Sequence, residues 1–249
     1  MTTLRIATLN ILNLADRWEE RLPLLLADAA ALRPDLLGLQ EVVYPMQQDR
    51  LLAAGMPDQY AVHRGWAGRP EYGNSLLVRG PVAAAAAVER LELGHARAAH
   101  RVSVRLVDGT LLHVAVTHLH HRVPDAAIRD EQAAALVAWL DEAPGTAAQV
   151  VMGDFNADPT EPAYARMVAA GFRSAFAEAN GSEPAVTWPS GLQAPAMDTD
   201  GDPSCLDYVW LRGEARAVNA RLWADRPAVD DPTLYPSDHL GVVTTVTIG

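Results

Sequence analysis

A strand, helix, strand unit occurs twice in this chain, and both times the strands run out into polar side chains. In the first, the β-rich run 4–12 (LRIATLNIL) is joined to the apolar run 36–42 (LLGLQEV) by a segment, roughly Asp16 to Leu32, with apolar residues at helical spacing. Pro34 stops that helix. In the second, LLHVAVTHL at 111–119 leads into a helix from about Pro124 to Leu140, ending before Pro144 and Gly145, and then into VVMGD at 150–154. Two such units predict an α/β core rather than a helical bundle. A pseudo-twofold arrangement of the units would bring Asn10 and Glu41 together with His118 and Asp154.

The remaining elements are shorter. A helix is expected near Met46 to Ala54 and strands at Tyr60–His63, Asn74–Val78 and Val82–Leu93, with 108-DGT-110 as the hairpin turn between RVSVRLV and LLHVAVTHL. Beyond Pro159 the chain is richer in Pro, Gly and Asp, with strands at 206–211, 217–223 and 240–248 and a long surface loop at 189–204. No linker-like stretch divides the 249 residues, so one domain over 1–249 is expected. A composition 49% hydrophobic and 20% charged can bury a core unaided. The lone Cys205 excludes an internal disulfide and any multi-cysteine metal knuckle, and fits a reducing compartment. MTTLRIATLN is too short and polar for a signal peptide, and no run of about eighteen apolar residues occurs, so a soluble, cytoplasmic protein off the membrane is expected. A formal charge of -11 argues against strong non-specific DNA binding, which needs spare Lys and Arg to neutralise phosphates. A short phosphorylated substrate remains compatible with it, and nothing implies a protein partner.

Each polar strand end has an ordinary reading. By period two, Asn10 shares a face with Ile6 and Thr8, Glu41 with Leu37 and Leu39, and His118 and His120 with Leu112, Val114 and Val116. Singly, these read as strand-exit turns, a rim acid and hydrogen-bonded rim histidines. His118, His120 and His121 raise zinc, but no matching Cys or Glu-x-x-His helix accompanies them. The runs 153-GDFN-156 and 237-SDH-239 add Asp154, Asn156, Asp238 and His239. Asp207 sits inside an apolar run and needs a partner, with His239 and His118 as candidates. The oxygen donors of Asn10, Glu41 and Asp238, with no thiolate, suit Mg²⁺ or Mn²⁺. Such an ion polarises a phosphoryl oxygen, while an Asp helped by an Asn deprotonates a water; together they predict phosphoester hydrolysis.

Taken in order, TLN, LQE, YGN, THLHH, GDFNADP, LDYVW and PSDH resemble the endonuclease/exonuclease/phosphatase superfamily over almost the whole chain. LDYVW and PSDH look closest to its deadenylase/nocturnin-like branch, and Leu12 stands where apurinic-site endonucleases carry an Asp. The resemblance implies a deoxyribonuclease-I-like four-layer α/β sandwich of two mixed sheets, with the site at their shared edge and one or two Mg²⁺ ions. By motif, Glu41 resembles the principal metal ligand, with Asn10 and Asp238 beside it, and Asp154 with Asn156 the water-activating pair. His239 resembles a phosphate-contacting histidine oriented by Asp207, and His118 an acid/base histidine; Tyr72 and Asn74 match a motif near the phosphate. Arg97 and Arg101 are candidate phosphate binders, or members of surface ion pairs, and Trp188 a stacking surface or core residue. The expected function is an Mg²⁺-dependent phosphodiesterase or nuclease acting on nucleic acid or a nucleotide-like compound. The rival readings are action on lipid or inositol phosphates, and a catalytically silent binding protein on the same fold.

Overall fold

The computed structural model describes residues 1–80, 83–143, 145–195, 197 and 201–249, and side chains for all of these except 83–87. Val82, Pro144 and, within the expected 189–204 loop, Ala196, Asp198, Thr199 and Asp200 lie outside the described residues. Two six-stranded sheets make the framework. One contains β1 (Thr2–Asn10), β2 (Leu36–Val43), β3 (Tyr60–Ala67), β4 (Arg69–Arg79), β11 (Ala215–Trp223) and β12 (Gly241–Ile248), in the order β11-β12-β1-β2-β4-β3. The other contains β5 (Ala83–Gly94), β6 (Arg97–Leu106), β7 (Leu111–His118), β8 (Ala148–Asp154), β9 (Arg173–Ser174) and β10 (Asp207–Gly213), in the order β5-β6-β7-β8-β10-β9.

Both sheets are mixed, and each is built around one parallel pair. β1 pairs with β2 through the crossover helix α1 (Trp18–Leu32), and β7 with β8 through α3 (Ala126–Asp141), so the two units read from the sequence occupy matching places in the two sheets. Alternation along the strands then makes four layers. Leu4, Ile6 and Leu36 meet Val114, Val150 and Met152 between the sheets. On the outer faces, Ala7, Leu9 and Leu37 pack with Leu25 and Ala29 of α1, and Ala115 and Val151 with Leu136 and Leu140 of α3. The expected α/β sandwich of two sheets flanked by helices is the observed one.

Close approach fixes the glycines at two points. A Cβ on Gly153, whose φ is +151°, would stand 2.0 Å from the Thr117 carbonyl oxygen of β7, so only glycine lets β8 lie this close to its neighbour. A Cβ on Gly38 would stand 2.5 Å from Met152 Sδ in the opposite sheet, which marks how tightly the sheets are pressed together.

Several elements differ from expectation. β3 and β4 extend well beyond 60–63 and 74–78, and a 3-10 turn at Tyr44–Met46 precedes α2 (Gln48–Gly55). After Pro159 the chain forms α4 (Pro162–Ala169), β9 and α5 (Ala175–Asn180), none of which was expected. Each is eight residues or fewer, too short for its own periodicity to stand out; α4 is held by burying Ala163 and Met167 against the β8 and β10 sheet. No helix among the described residues is long and apolar enough to cross a membrane.

Candidate active site

Four strands reach the same edge of the sandwich with a polar residue on the face that elsewhere carries the inter-sheet core. Asn10 follows Ile6 and Thr8, His118 follows Val114 and Val116, Asp154 follows Val150 and Met152, and Asp207 precedes Val209 and Leu211. Strand pairing sets the last three side by side, with His118 opposite Asp154 and Asp154 opposite Asp207. All four are buried.

Glu41 arrives by a different route. Strict alternation from Leu37 and Leu39 would aim it into the outer helical layer, but the pairing of β2 with β4 slips between Leu39 and Val42, and Glu41 itself has φ +62°. That bulge turns the carboxylate into the cleft, where it is only partly buried. A left-handed conformation is costly for a residue with a Cβ and recurs at Asn156, φ +49°, on the other side of the cleft.

Asp154 is the hub. Its Oδ2 accepts from Asn10 Nδ2 at 3.0 Å and lies 3.4 Å from His118 Nε2 and 3.7 Å from His239 Nε2, while Oδ1 accepts the Asn156 backbone N–H at 2.9 Å. His239 is brought in from the loop before β12, and its Nδ1 lies 2.9 Å from Asp207 Oδ2. Of the two candidate partners for Asp207, the structure therefore selects His239. Ser237 fixes this loop by donating to the Asn10 carbonyl at 2.6 Å, and Thr187 Oγ1 accepts the backbone N–H groups of Leu206 and Asp207.

The charges follow from this packing. Burial pushes the Asp154 carboxyl up to about 7; the positive His239 opposes the rise, Asp207 adds to it, and the bonds from Asn10 and Asn156 hold it down. Burial works to discharge His239, but Asp207, Asp238 and Asp154 together hold its imidazolium well above the ordinary histidine range. His118 goes the other way: burial, then the charges of Arg97 and His239, keep it neutral, so its 3.4 Å approach to Asp154 is not an ion pair. Two histidines a few ångströms from one carboxylate are thus held in opposite protonation states.

Two groups here have the composition to hold a cation. Asp154, Asp207 and His239 offer ligand atoms within 4.8 Å of one another, all buried, and could hold a metal ion. Between those carboxylates, however, the His239 imidazolium already supplies positive charge. Glu41 differs: its Oε2 accepts from the neutral Asn13 amide at 2.6 Å, and it forms no ion pair among the described residues. With the Asn10 amide and the Asp238 carboxylate lining the same cleft of about 400 Å³, the set offers oxygen donors, which fits a hard divalent ion.

The other candidates divide. Arg97 and Asn156 line the cleft, and Asn156 Nδ2 donates to the Leu119 carbonyl. Trp188 lines it too and donates through Nε1 to Asp238 Oδ2 at 3.3 Å. Tyr72 lies outside it, in a neighbouring cleft; burial and then the charge of Glu41 raise its phenol. Asn74 is buried and donates to the Ala98 carbonyl, tying β4 to β6 across the sheets, so its amide serves the sandwich rather than the cleft. Arg101 takes the ion-pair reading rather than the phosphate-binding one: it points into the outer layer, pairs with Glu89 at 2.5 Å, donates to the Trp139 carbonyl and stacks on the Trp139 ring. His120 parts from His118 because β7 ends at His118; its Nε2 instead lies 2.8 Å from Asp125 Oδ2.

Asn13, Thr187 and Ser237 escaped notice, as did two buried arginines. Arg21 of α1 donates to the carbonyls of Ile11, Leu12, Ala15, Asp16 and Pro236, and Arg129 of α3 to those of His120, Arg122 and Val123 while pairing with Glu161. Each guanidinium pins the loop between the first strand and the helix of its unit. The available signal was a charged residue on an apolar helical stripe, Arg21 with Leu25, Ala29 and Leu32, and Arg129 with Ala133, Leu136 and Leu140.

Comparison with known proteins bears on this arrangement. The profile of the Endonuclease/Exonuclease/phosphatase family matches residues 7–239. Nocturnin of Xenopus laevis is 35% identical over 150 residues, which is 54% of this chain and 37% of that protein, so the match spans little more than a third of this relative's length. Among solved structures, the human Nocturnin catalytic domain with bound sulfate anion superposes with a TM-score of 0.77 at 25% identity, covering 99% of this chain and 94% of that one. An endonuclease/exonuclease/phosphatase from Bacteroides vulgatus gives 0.82 at 19% identity, with full coverage of both chains, a likeness of fold.

Proposed function

Since the chain belongs to the Endonuclease/Exonuclease/phosphatase family, we propose that it is an Mg²⁺-dependent (or Mn²⁺-dependent) phosphodiesterase, acting on a short nucleic acid or a nucleotide-like phosphodiester. The observation that carries this is the convergence on Asp154: one carboxylate, oriented by Asn10 and Asn156, with a neutral and a protonated imidazole within 3.7 Å and an oxygen-lined cleft in front. The sulfate bound by the human Nocturnin catalytic domain is a tetrahedral oxyanion, the class of ligand this reading requires.

Asp154 accepts the proton of the attacking water, and its bonds from Asn10 and Asn156 keep the oxygen aimed at that water. His239 holds a proton on Nδ1 against Asp207 and presents Nε2–H toward the phosphate, stabilising charge as the pentavalent state forms. His118, neutral, hydrogen-bonds the same oxyanion, and Asn156 and Arg97 complete the clamp. A divalent ion bound by Glu41, Asn10 and Asp238 would polarise the phosphoryl oxygen and steady the leaving oxyanion. The set draws on both sheets, so we take residues 1–249 as one functional domain.

Release of p-nitrophenol from bis(p-nitrophenyl) phosphate, followed with Mg²⁺ and with EDTA, tests the proposal. Asp154→Ala and Glu41→Ala should each abolish the Mg²⁺-dependent rate. Turnover unchanged in both would sink it.

A further inference from the structure

The cleft facing Asp154 is not the only concavity at this edge. A second cleft of about 810 Å³ adjoins it, and Arg97 and His121 stand in the walls of both. Its charge is opposite in character. The chain has no lysine, so its 20 basic residues are all arginine, and among the described residues ten of them pair with an acid. Arg69, Arg97 and Arg122, which line the second cleft, form no ion pair among the described residues. Arg69 lies over the Tyr72 ring at 5.5 Å, and Arg97 donates to His121 Nδ1 at 3.0 Å. The acid in the wall, Asp125, is engaged by His120. His120 Nδ1 is buried there without a hydrogen-bond partner, the kind of unmatched atom that a ligand or water completes. Three guanidinium groups without a carboxylate partner among the described residues, gathered in one concavity, are a costly arrangement unless an anion uses them.

Resting on the phosphodiesterase reading, we propose that the second cleft is a subsite for a second phosphate of the substrate, which is a small nucleotide-like molecule carrying two phosphoryl groups. The ester cut at Asp154 lies in the first cleft and the second phosphate reaches across the shared Arg97 and His121 wall to Arg69 and Arg122. A long polyanion fits less well, because a chain of formal charge -11 has little spare positive charge with which to hold it.

Calorimetry in EDTA, where no turnover occurs, reads this subsite separately from catalysis. Thymidine 3′,5′-bisphosphate should bind about tenfold more tightly than thymidine 5′-monophosphate, and the advantage should vanish in the Arg69→Ala/Arg122→Ala double variant. In Mg²⁺, the p-nitrophenyl ester of thymidine 5′-phosphate should show a KM about tenfold lower when it carries a 3′-phosphate, again only with both arginines present. The double variant should hydrolyse bis(p-nitrophenyl) phosphate, which has one phosphate, at the wild-type rate. Equal affinity for the two nucleotides, or an advantage surviving loss of both arginines, overturns the subsite. An advantage shown only by single-stranded oligonucleotides, rising with length, overturns the small-substrate form. If no ester is turned over, the phosphodiesterase reading fails while the calorimetric comparison still decides whether the cleft selects a second phosphate.

Discussion

Asp154 changes charge in the range where most proteins work, because burial lifts its carboxyl to about 7. A base must be ionised to take a proton from water, so kcat/KM should fall about tenfold per unit as pH drops below the midpoint of this group. Cation bound nearby favours the carboxylate, so the limb should move to lower pH as Mg²⁺ rises. A pH profile taken at two Mg²⁺ concentrations checks both points, and a limb that stays fixed would argue that Asp154 and the ion do not share a site. For stability the sign is opposite to that of an ordinary paired Asp: the folded value is raised, so Asp154 stabilises the fold below the usual carboxylate range and that contribution is lost as pH rises through about 7. His239 depends on Asp207, which holds Nδ1 at 2.9 Å and is among the charges that keep the ring protonated. Asp207→Asn should lower kcat by roughly 10²- to 10⁴-fold, with a smaller effect on KM, since it disturbs a proton rather than the shape of the cleft. Steady-state kinetics that moved KM alone would assign Asp207 to substrate binding instead.

Elements deliver these residues through two strand, helix, strand units, and each unit carries a buried arginine that ties its first loop to its helix. Arg21 donates five hydrogen bonds to carbonyls, one of them Pro236, two residues before Asp238. Arg21→Met fills similar space but orphans those acceptors, and should cost about 3 to 5 kcal/mol in urea unfolding, with activity lost disproportionately because the loops carrying Asn13 and Asp238 lose their anchor. Arg21→Lys should recover little of this, having three donors in place of a planar fork of five. The two units were legible in the sequence because β1, β2, β7 and β8 are apolar runs and α1 and α3 are long enough to show their period. The polar ends Asn10, His118, Asp154 and Asp207 were legible for the same reason, as continuations of apolar strands; the order of the motifs around them carried the family likeness, and LDYVW with PSDH its nocturnin-like branch. Glu41 could be picked out but its aim could not, since that depends on a bulge set by pairing with β4. The two readings of Arg101 stayed open because period two says which residues share a face, not whether that face looks into the cleft or into the helices. Thr187 and Ser237 had no signal at all: they act through hydrogen bonds to loops that meet only after folding.

At the scale of the molecule, the candidate site straddles the two sheets. Asn10 and Glu41 come from one, His118, Asp154 and Asp207 from the other, and the Asn10 to Asp154 hydrogen bond joins them. Asp154, Asp207, Asp238 and Glu41 are gathered at this seam, with positive charge from His239 among them and from the buried Arg21, which acts on Asp238 and Glu41. Repulsion among them opposes the packing of the sheets, and a divalent ion should relieve it. Binding to the folded state alone stabilises by about 2.7 kcal/mol at a hundred times Kd. For a chain of this length that corresponds to a rise in Tm on the order of 5 to 10 °C. The rise should be larger at pH 8 than at pH 5.5, because Asp154 is ionised only at the higher pH and its charge then adds to the demand for a cation. Glu41→Gln should remove most of the increment, since it deletes a carboxylate that accepts from the neutral Asn13 amide and forms no ion pair among the described residues, while leaving the EDTA-treated protein as stable as wild type or slightly more so. Thermal unfolding of the wild type and Glu41→Gln in Mg²⁺ and in EDTA at both pH values measures each of these differences. An Mg²⁺ increment that is equal at the two pH values and indifferent to Glu41 would place the ion elsewhere on this acidic chain.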